Sequence, residues 1–134
     1  MAKTRLGHVG IIIPTMDQVE SLLLLLGLEK GHTQYVEEYQ ADCVFTAGTS
    51  GVIEFIVPRA GKLAQFNKGA GGLHHIALEV DDLASATAEL KRYDVELLEE
   101  APVDAGSIWI NFIPPAYTRG FTVELIEPKT LKRE

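Results

Sequence analysis

The feature that most constrains this chain is a pattern of histidine and glutamate that occurs twice. His8 lies in a short run rich in Val and Ile, and Glu54 follows 46 residues later in a second apolar run. His75 lies in a similar run, and Glu124 follows it after 49 residues. Because the two separations nearly match, and because His75 stands 67 residues after His8, the pattern predicts duplication of a whole module rather than a short solenoid repeat.

The predicted elements follow the same order in both halves. Alternating apolar residues and turn residues predict strands over 6–13, 34–46, 51–57, 73–80, 95–99, 107–113 and 120–126, with a further strand near 28–32. Helix signals predict helices over 15–26, 61–68 and 82–92. Each half therefore reads β-α-β-β-β, and the predicted fold class is α+β with two tandem βαβββ modules. We expect one domain over residues 1–134, divided into module one (1–60), a Gly-rich linker (61–72) and module two (73–134).

The first helix has clear terminal signals and an unusual interior. Thr15 is a suitable N-cap, and Gly27 suits the position just past the C-terminus. Five consecutive leucines, Leu22–Leu26, cover every side of the helix. An all-round apolar helix is normally buried on several sides, so we expect this one to be covered by the rest of the fold.

Net charge and cysteine content limit the kinds of binding partner and the cellular compartment that we expect for this protein. The net charge of −7 disfavours nucleic acid and anionic membrane surfaces as partners. Cys43 is the only cysteine, so an intrachain disulfide is excluded and a reducing compartment is favoured. The apolar run near the N-terminus is short and ends at Pro14, so we expect no secretory signal there. We therefore expect a soluble cytoplasmic protein that acts on a small molecule.

The repeated residues have the chemistry of a metal site. Glu54 and Glu124 lie inside otherwise apolar strands, where an unpaired buried carboxylate costs several kcal/mol. Two carboxylates and two neutral imidazoles, from His8 and His75, balance the charge of one divalent cation. These donors suit Co, Ni, Mn, Zn or Fe, and the absence of thiolates disfavours a closed structural zinc site. The alternation of strand faces favours His75 over its neighbour His74 as the ligand.

The chain also resembles a known family. The stretch 63–82, which contains Gly-Leu-His-His-Ile-Ala, and the closing strand 122–128 are similar to segments of the vicinal oxygen chelate (glyoxalase/bleomycin resistance/dioxygenase) superfamily, and most of all to its methylmalonyl-CoA epimerases. The resemblance implies two modules that form a U-shaped mixed sheet around a metal site, usually in homodimers. It implies the metal ligands His8, Glu54, His75 and Glu124.

The resemblance further implies an activity and its catalytic residues. The epimerases carry a catalytic carboxylate in a segment that Val36–Ala41 occupies here, and the altered residues of this segment leave Glu37 and Glu38 as equal candidates. Glu124 is the candidate for the opposite face of the substrate. The expected function is a metal-dependent epimerisation or isomerisation of an acyl-CoA such as methylmalonyl-CoA, through a metal-stabilised enolate.

Three other functions are compatible with the same scaffold. A glyoxalase I-like lyase is favoured slightly by Glu54, where some epimerases have Gln. An extradiol-type dioxygenase uses two His and one carboxylate, so the fourth ligand argues against it. A non-catalytic ligand-binding protein would not need four intact ligands. For the substrate pocket we consider Trp109, Phe112, Tyr117 and Arg119, and we interpret His32 as a surface residue.

Overall fold

The computed structural model describes residues 3–48 and 52–129, which form eight strands, two α-helices and three short 3₁₀ segments. The strands are β1 (Arg5–Ile12), β2 (Glu29–Val36), β3 (Ala41–Ala47), β4 (Ile53–Pro58), β5 (Gly72–Glu79), β6 (Val103–Asp104), β7 (Ile108–Ile113) and β8 (Thr122–Pro128). The helices are α1 (Met16–Leu26) and α2 (Leu83–Lys91), and the 3₁₀ segments are Glu37–Tyr39, Leu63–Gly69 and Pro115–Tyr117. Among these residues no helix is both long enough and apolar enough to span a lipid bilayer.

The strand pairing confirms the α+β class and the duplicated βαβββ order. The strand order is β2-β3-β4-β1 among the first four strands and β5-β8-β7-β6 among the last four. The pairs β1/β4 and β5/β8 are parallel, and the pairs β2/β3, β3/β4, β6/β7 and β7/β8 are antiparallel. The described residues fall into two compact units, residues 8–74 and residues 75–129 with residues 3–7. The module boundaries at residues 60 and 73 stay a prediction.

Each unit has a helix packed on one face of its strands. Val19 and Leu23 of α1 form a core cluster with Val44, Phe55 and Val57 of β3 and β4. In the second unit, α2 packs on β5, β7 and β8 through a cluster of buried residues: Val80, Leu83, Ala86, Ile113, Val123 and Leu125. Side chains alternate between faces along a strand, so the remaining positions of the central strands point away from the helices. The buried His and Glu residues lie at those positions.

The caps of α1 agree with the sequence prediction, but the coverage of this helix does not. The Thr15 hydroxyl accepts a hydrogen bond from the Gln18 amide, and Gly27 adopts the left-handed conformation with φ 67°. Leu24 and Leu25 are 87% and 78% exposed. The expectation that α1 is covered on several sides is therefore wrong within the described residues. One layer of strands can contact only one stripe of a helix, and Val19 and Leu23, four residues apart, occupy that stripe.

Two further strand predictions are wrong, one in its extent and one entirely. The segment 34–46 is broken by the 3₁₀ turn Glu37–Tyr39 and by Gln40, whose φ of 51° is left-handed, so β2 ends at Val36 and β3 begins at Ala41. The segment 95–99 is not a strand. It lies beside β7, and the side chain of Asn111 makes hydrogen bonds to its backbone where a paired strand would have backbone hydrogen bonds. Of the predicted strand 51–57, residue 51 lies outside the described part of the chain.

Asn111 docks this irregular segment onto the sheet. The side chain is 2% exposed. Its Oδ1 accepts hydrogen bonds from the amides of Glu99 and Phe112, and its Nδ2 donates to the carbonyl of Glu99. The Leu98 amide also donates a hydrogen bond to the carbonyl of Phe112 on β7.

In the first unit, the arginine that follows β4 contacts both a carboxylate and an aromatic ring. Arg59 follows the last residue of β4 and donates to both carboxylate oxygens of Asp42 at 2.9 Å. Its guanidinium carbon lies 4.1 Å from the ring centroid of Tyr35. These contacts connect the end of β4 to β3 and β2, and the Arg59 guanidinium lowers the pKa of Asp42 from its usual value.

The second unit has a matching arrangement. Lys129 follows the last residue of β8, pairs with Asp104 of β6 and lies 4.3 Å from the ring centroid of Trp109. Here the acid is on β6, at the end of the strand order, and the aromatic ring is on its neighbour β7. In the first unit the positions are reversed, because Tyr35 is on the end strand β2 and Asp42 is on β3. The duplication therefore extends to the residues that follow β4 and β8, the last strands of the two units.

Replacement of Asn111 by Ala should lower the free energy of unfolding by about 2–3 kcal/mol, because buried amide and carbonyl groups lose their partners. Urea denaturation measures this loss. Hydrogen exchange of the Glu99 amide should become faster. Ser85→Ala removes an exposed side-chain hydrogen bond to Asp82 and is the control. Unchanged exchange at Glu99 in Asn111→Ala would show that Asn111 does not hold this segment.

The Arg59–Asp42 contact predicts a pH-dependent contribution to stability. Because the folded-state pKa of Asp42 is lowered, the contact stabilises the fold above the unfolded pKa, which is about 3.9, and the contribution disappears as the pH falls through the lower folded value. Arg59→Gln should therefore be less stable than the wild type at pH 7, and the difference should shrink below about pH 4. The effect is small because Arg59 is largely exposed to solvent. Thermal unfolding across this pH range measures it, with Arg92→Gln as the control; a constant difference would contradict the pairing.

Candidate metal centre

The first His–Glu pair comes from the two parallel strands of the first unit. His8 lies on β1 and Glu54 on β4. The Nε2 atom of His8 is 3.1 Å from Oε1 of Glu54. Phe55 and Val57 pack against α1, so alternation puts the Glu54 side chain on the other face of β4. The pair is thus buried on the face of the strands that α1 leaves uncovered.

The second pair repeats this arrangement. His75 lies on β5 and Glu124 on β8, with His75 Nε2 3.0 Å from Glu124 Oε1. The neighbouring residues Val123 and Leu125 pack against α2, so Glu124 again points away from the helix. The exposed fractions of His8, Glu54, His75 and Glu124 are 7%, 8%, 4% and 7%, so all four polar side chains are buried.

The strand register explains why both pairs form in the same way. In the first unit the residue opposite Glu54 is Gly10, two positions after His8. In the second unit the residue opposite Glu124 is Ala77, two positions after His75. Each Glu therefore lies diagonal to its His, on the same face of adjacent strands. A residue with little or no side chain stands directly opposite each carboxylate and leaves it room.

His8, Glu54, His75 and Glu124 have the donor atoms that could hold a metal ion. Each unit contributes one imidazole nitrogen and one carboxylate oxygen, which are 3.1 Å apart in the first unit and 3.0 Å apart in the second. Ligand atoms at about 2.0–2.2 Å from one ion stand at most about 4.4 Å apart, so the two donor atoms of each pair are close enough to bind the same cation. Two carboxylates and two neutral imidazoles carry a charge of −2, which one divalent cation neutralises. The residues therefore fit the metal that the sequence predicts, and the identity of the metal stays open.

The predicted catalytic residues Glu37 and Glu38 are not part of this group. Both are exposed and lie on the 3₁₀ turn between β2 and β3. The turn precedes Ala41, which pairs with Pro58, whereas Glu54 pairs with Phe45. Four residues of strand thus separate the turn from the level of Glu54, a distance of about 13 Å. Neither carboxylate is a candidate metal ligand, and the role of both as bases stays a prediction.

The other two histidines each contact a phenylalanine. His74 is partly buried, and its ring lies perpendicular to Phe66 with centroids 5.1 Å apart. His32 is exposed, as expected for a surface residue, but it is stacked on Phe45 with centroids 4.8 Å apart. The sequence offered no partner for His32, because the contact depends on the register of β2 against β3.

The candidate pocket residues are spread over two regions. Trp109 is in contact with Lys129, and Phe112 is buried on β7 opposite Glu124. Tyr117 and Arg119 lie in the exposed loop before β8, and Arg119 has a left-handed φ of 69°. Of these candidates, Phe112 is the one that the strand register puts beside the buried group.

Phe45 is a neighbour of the candidate ligands that the sequence did not reveal. It stands opposite Glu54 in the β3/β4 pairing, as Phe112 stands opposite Glu124 in the β7/β8 pairing. The equivalence was hidden because Phe45 precedes its Glu by 9 residues and Phe112 precedes its Glu by 12. Connections of different length between the paired strands shift the spacing while the register is preserved.

Comparison with known proteins gives a consistent family. A sequence model of the Glyoxalase/Bleomycin resistance protein/Dioxygenase superfamily matches residues 7–112. Mitochondrial methylmalonyl-CoA epimerase of Bos taurus is 31% identical over 127 residues, which are 90% of this chain and 73% of the bovine protein.

Solved structures extend the similarity to the fold. The crystal structure of methylmalonyl-CoA epimerase from Mycobacterium tuberculosis has a TM-score of 0.84 and 27% identity, with 96% of this chain and 93% of that chain covered. A methylmalonyl-CoA epimerase in complex with methylmalonyl-CoA and NH4+ has a TM-score of 0.82 and 26% identity, with 98% and 99% covered. The similarity thus spans both units.

Replacement of His75 by Gln should lower the affinity for Co²⁺ or Mn²⁺ by more than about 100-fold, because one of four ligands is lost. Isothermal titration of protein stripped with a chelator measures the affinity, and elemental analysis measures the metal content. His74→Gln changes the adjacent residue on the opposite face of β5 and should keep wild-type affinity. Full metal content in His75→Gln would contradict the ligand assignment.

Proposed function

We propose an activity for this chain on the basis that it belongs to the Glyoxalase/Bleomycin resistance protein/Dioxygenase superfamily. The proposed activity is a divalent-metal-dependent epimerisation of an acyl-CoA thioester such as methylmalonyl-CoA. One observation carries it: two buried His–Glu pairs in equivalent registers occur in a chain that matches acyl-CoA epimerases over nine-tenths of its length. The names of those relatives supply the substrate class.

The residues that would hold the metal are His8, Glu54, His75 and Glu124. When bound there, a divalent cation supplies Lewis-acid polarisation of substrate oxygens and a template that orients them. The protein contributes burial, which strengthens electrostatic interactions at the site. It also contributes fixed strand registers, which set the distance from each imidazole to its carboxylate.

The reaction itself requires two groups that move protons. The α-carbon of methylmalonyl-CoA lies between a thioester carbonyl and a carboxylate, so its C–H bond can be broken by a base to leave an enolate. A carboxylate on one face takes this proton, and a carboxylic acid on the other face donates a proton to form the new C–H bond. A single group would return the proton to the face from which it came. Inversion therefore needs one acid–base residue on each side.

Glu124 is the proposed residue on one side, and Glu37 or Glu38 is proposed for the other. Residues adjacent in a 3₁₀ helix point in directions about 120° apart. At most one of Glu37 and Glu38 can therefore face the substrate, while the other faces solvent. The distance of the turn from Glu54 along the strand suits a base that approaches a substrate extending from the metal, rather than a residue that binds the metal.

The alternatives are less well supported. A glyoxalase I-like lyase would use the same metal ligands on a thiol hemiacetal, and Glu54 is compatible with it. The matched relatives described above are epimerases, and the match extends over both units. Turnover of methylglyoxal with glutathione is the direct measurement that would favour the lyase.

The cellular and quaternary context also belongs to this proposal. We propose a homodimer located in the cytoplasm. The family resemblance supports the dimer, and the single buried Cys43 supports a reducing compartment. Light scattering of the purified protein tests the dimer.

In deuterated water the metal-loaded enzyme should convert one epimer of methylmalonyl-CoA to the other with deuterium at the α-carbon. Glu37→Gln and Glu38→Gln are each other's control. One of them should lower the inversion rate by about 10²- to 10⁴-fold with unchanged metal content, and the other should stay within a few-fold of wild type. NMR follows the exchange, and chiral analysis of the acid follows inversion.

The defective variant should have a further property. With one acid–base group left, it should still exchange the α-proton of one epimer without inverting it. Equal rates in both variants would reject the base assignment but leave the epimerase proposal intact. The absence of any metal-dependent exchange in the wild type would reject the epimerase proposal.

A further inference from the structure

Phe45 contacts the ring of a proposed metal ligand. It lies on β3 opposite Glu54 of β4, and directly paired residues of antiparallel strands project from the same face. The ring of Phe45 is nearly perpendicular to that of His8, with an interplanar angle of 83° and centroids 5.8 Å apart. This is the edge-to-face geometry that aromatic pairs prefer. Phe45 is thus next to both members of the first His–Glu pair.

His32 lies against the same phenylalanine. Its ring is stacked on Phe45 at an angle of 15°, with centroids 4.8 Å apart, and His32 itself is exposed. Three rings therefore form a continuous series from the surface to the buried group, in the order His32, Phe45, His8. The outer imidazole restricts the movement of the Phe45 ring, which in turn is the partner of His8.

The second unit carries the equivalent phenylalanine. Phe112 of β7 pairs with Glu124 of β8 as Phe45 pairs with Glu54, and Phe112 is buried. A ring that filled space at random would not be expected at the same register position in both modules. The duplication indicates that the phenylalanine belongs to the site as the His and Glu residues do.

The physical role of such a ring follows from the freedom of the histidine side chain. Rotation of an imidazole about its terminal torsion has a broad, shallow profile, so the ring plane must be set by neighbours. A perpendicular ring at 5.8 Å restricts that rotation, and the Nε2 atom then stays directed at Glu54, from which it is 3.1 Å away.

We propose that Phe45, held by His32, is a positioning residue that fixes the imidazole plane of His8 for metal binding. This inference rests on the metal site of the proposed function and adds residues that the duplicated His–Glu pattern does not include. Loss of an aromatic contact of this kind is expected to weaken metal binding by about 3- to 10-fold. It should also loosen the geometry at the metal.

The test is a Co²⁺ titration of stripped protein, followed through the visible absorption bands of the bound ion. Phe45→Leu should bind Co²⁺ about 3- to 10-fold more weakly and change the position or intensity of these bands. Phe45→Tyr keeps the ring and should restore both. His32→Ala, at an exposed position, should shift the spectrum in the direction of Phe45→Leu by a smaller amount.

Phe66→Leu is the matched control, because Phe66 is also partly buried and contacts His74 at 74° and 5.1 Å. It removes the same kind of Phe–His contact from a histidine outside the group and should leave the Co²⁺ spectrum unchanged. In the metal-free proteins, NMR shifts of the His8 ring should change in Phe45→Leu and not in Phe66→Leu. That measurement confirms the contact and the integrity of the fold without any metal.

The possible results separate this inference from the proposed function. If the wild type binds Co²⁺ and Phe45→Leu has the same affinity and spectrum, the positioning role is wrong and the metal site stands. An equal change in Phe45→Leu and Phe66→Leu would also overturn it, since the effect would then be general destabilisation. If the wild type binds no divalent metal, the metal site is wrong and the inference fails with it.

Discussion

Burial of two carboxylates in apolar strands is the constraint on which the rest of this structure depends. Glu54 and Glu124 are each flanked by core residues that pack against a helix, so neither can reach bulk solvent without disrupting its strand. A buried charge without a partner costs several kcal/mol. Each carboxylate therefore has an imidazole beside it, and a divalent cation would complete the neutralisation.

The duplicated register is the means by which the fold meets this constraint. In each unit a parallel pair of strands brings a His and a Glu together on the face opposite the helix, with Gly10 or Ala77 opposite the carboxylate. An antiparallel neighbour adds a phenylalanine at the same level. Arg59, which follows β4, and Lys129, which follows β8, then connect the ends of these strands to the antiparallel strands of the same unit. Two strands of each unit, β3 and β4 in the first and β7 and β8 in the second, thus take part both in the candidate site and in the contacts of the cation.

The elements with strong local signals could be predicted. The capped helices begin near Thr15 and Asp82, and the strands that carry the four repeated residues are where the alternation of apolar residues indicates. The wrong predictions share a cause. The break at Glu37–Tyr39, the irregular segment 95–99 and the exposed leucines of α1 depend on which neighbour each segment meets, and Asn111 is one such neighbour. Local propensity contains no information about that neighbour.

The sequence by itself determined the duplication, the α+β class and the four candidate ligands. These features depend on residue type and on spacing along the chain, and both are nearly the same in the two halves. The tertiary structure alone decided that Phe45 and Phe112 are equivalent, that His32 is stacked on Phe45, and that Glu37 and Glu38 lie apart from the buried group. Connections between paired strands differ in length, so positions that match in space do not match in spacing. Hydrogen-bonded register, which exists only in the folded sheet, aligns them.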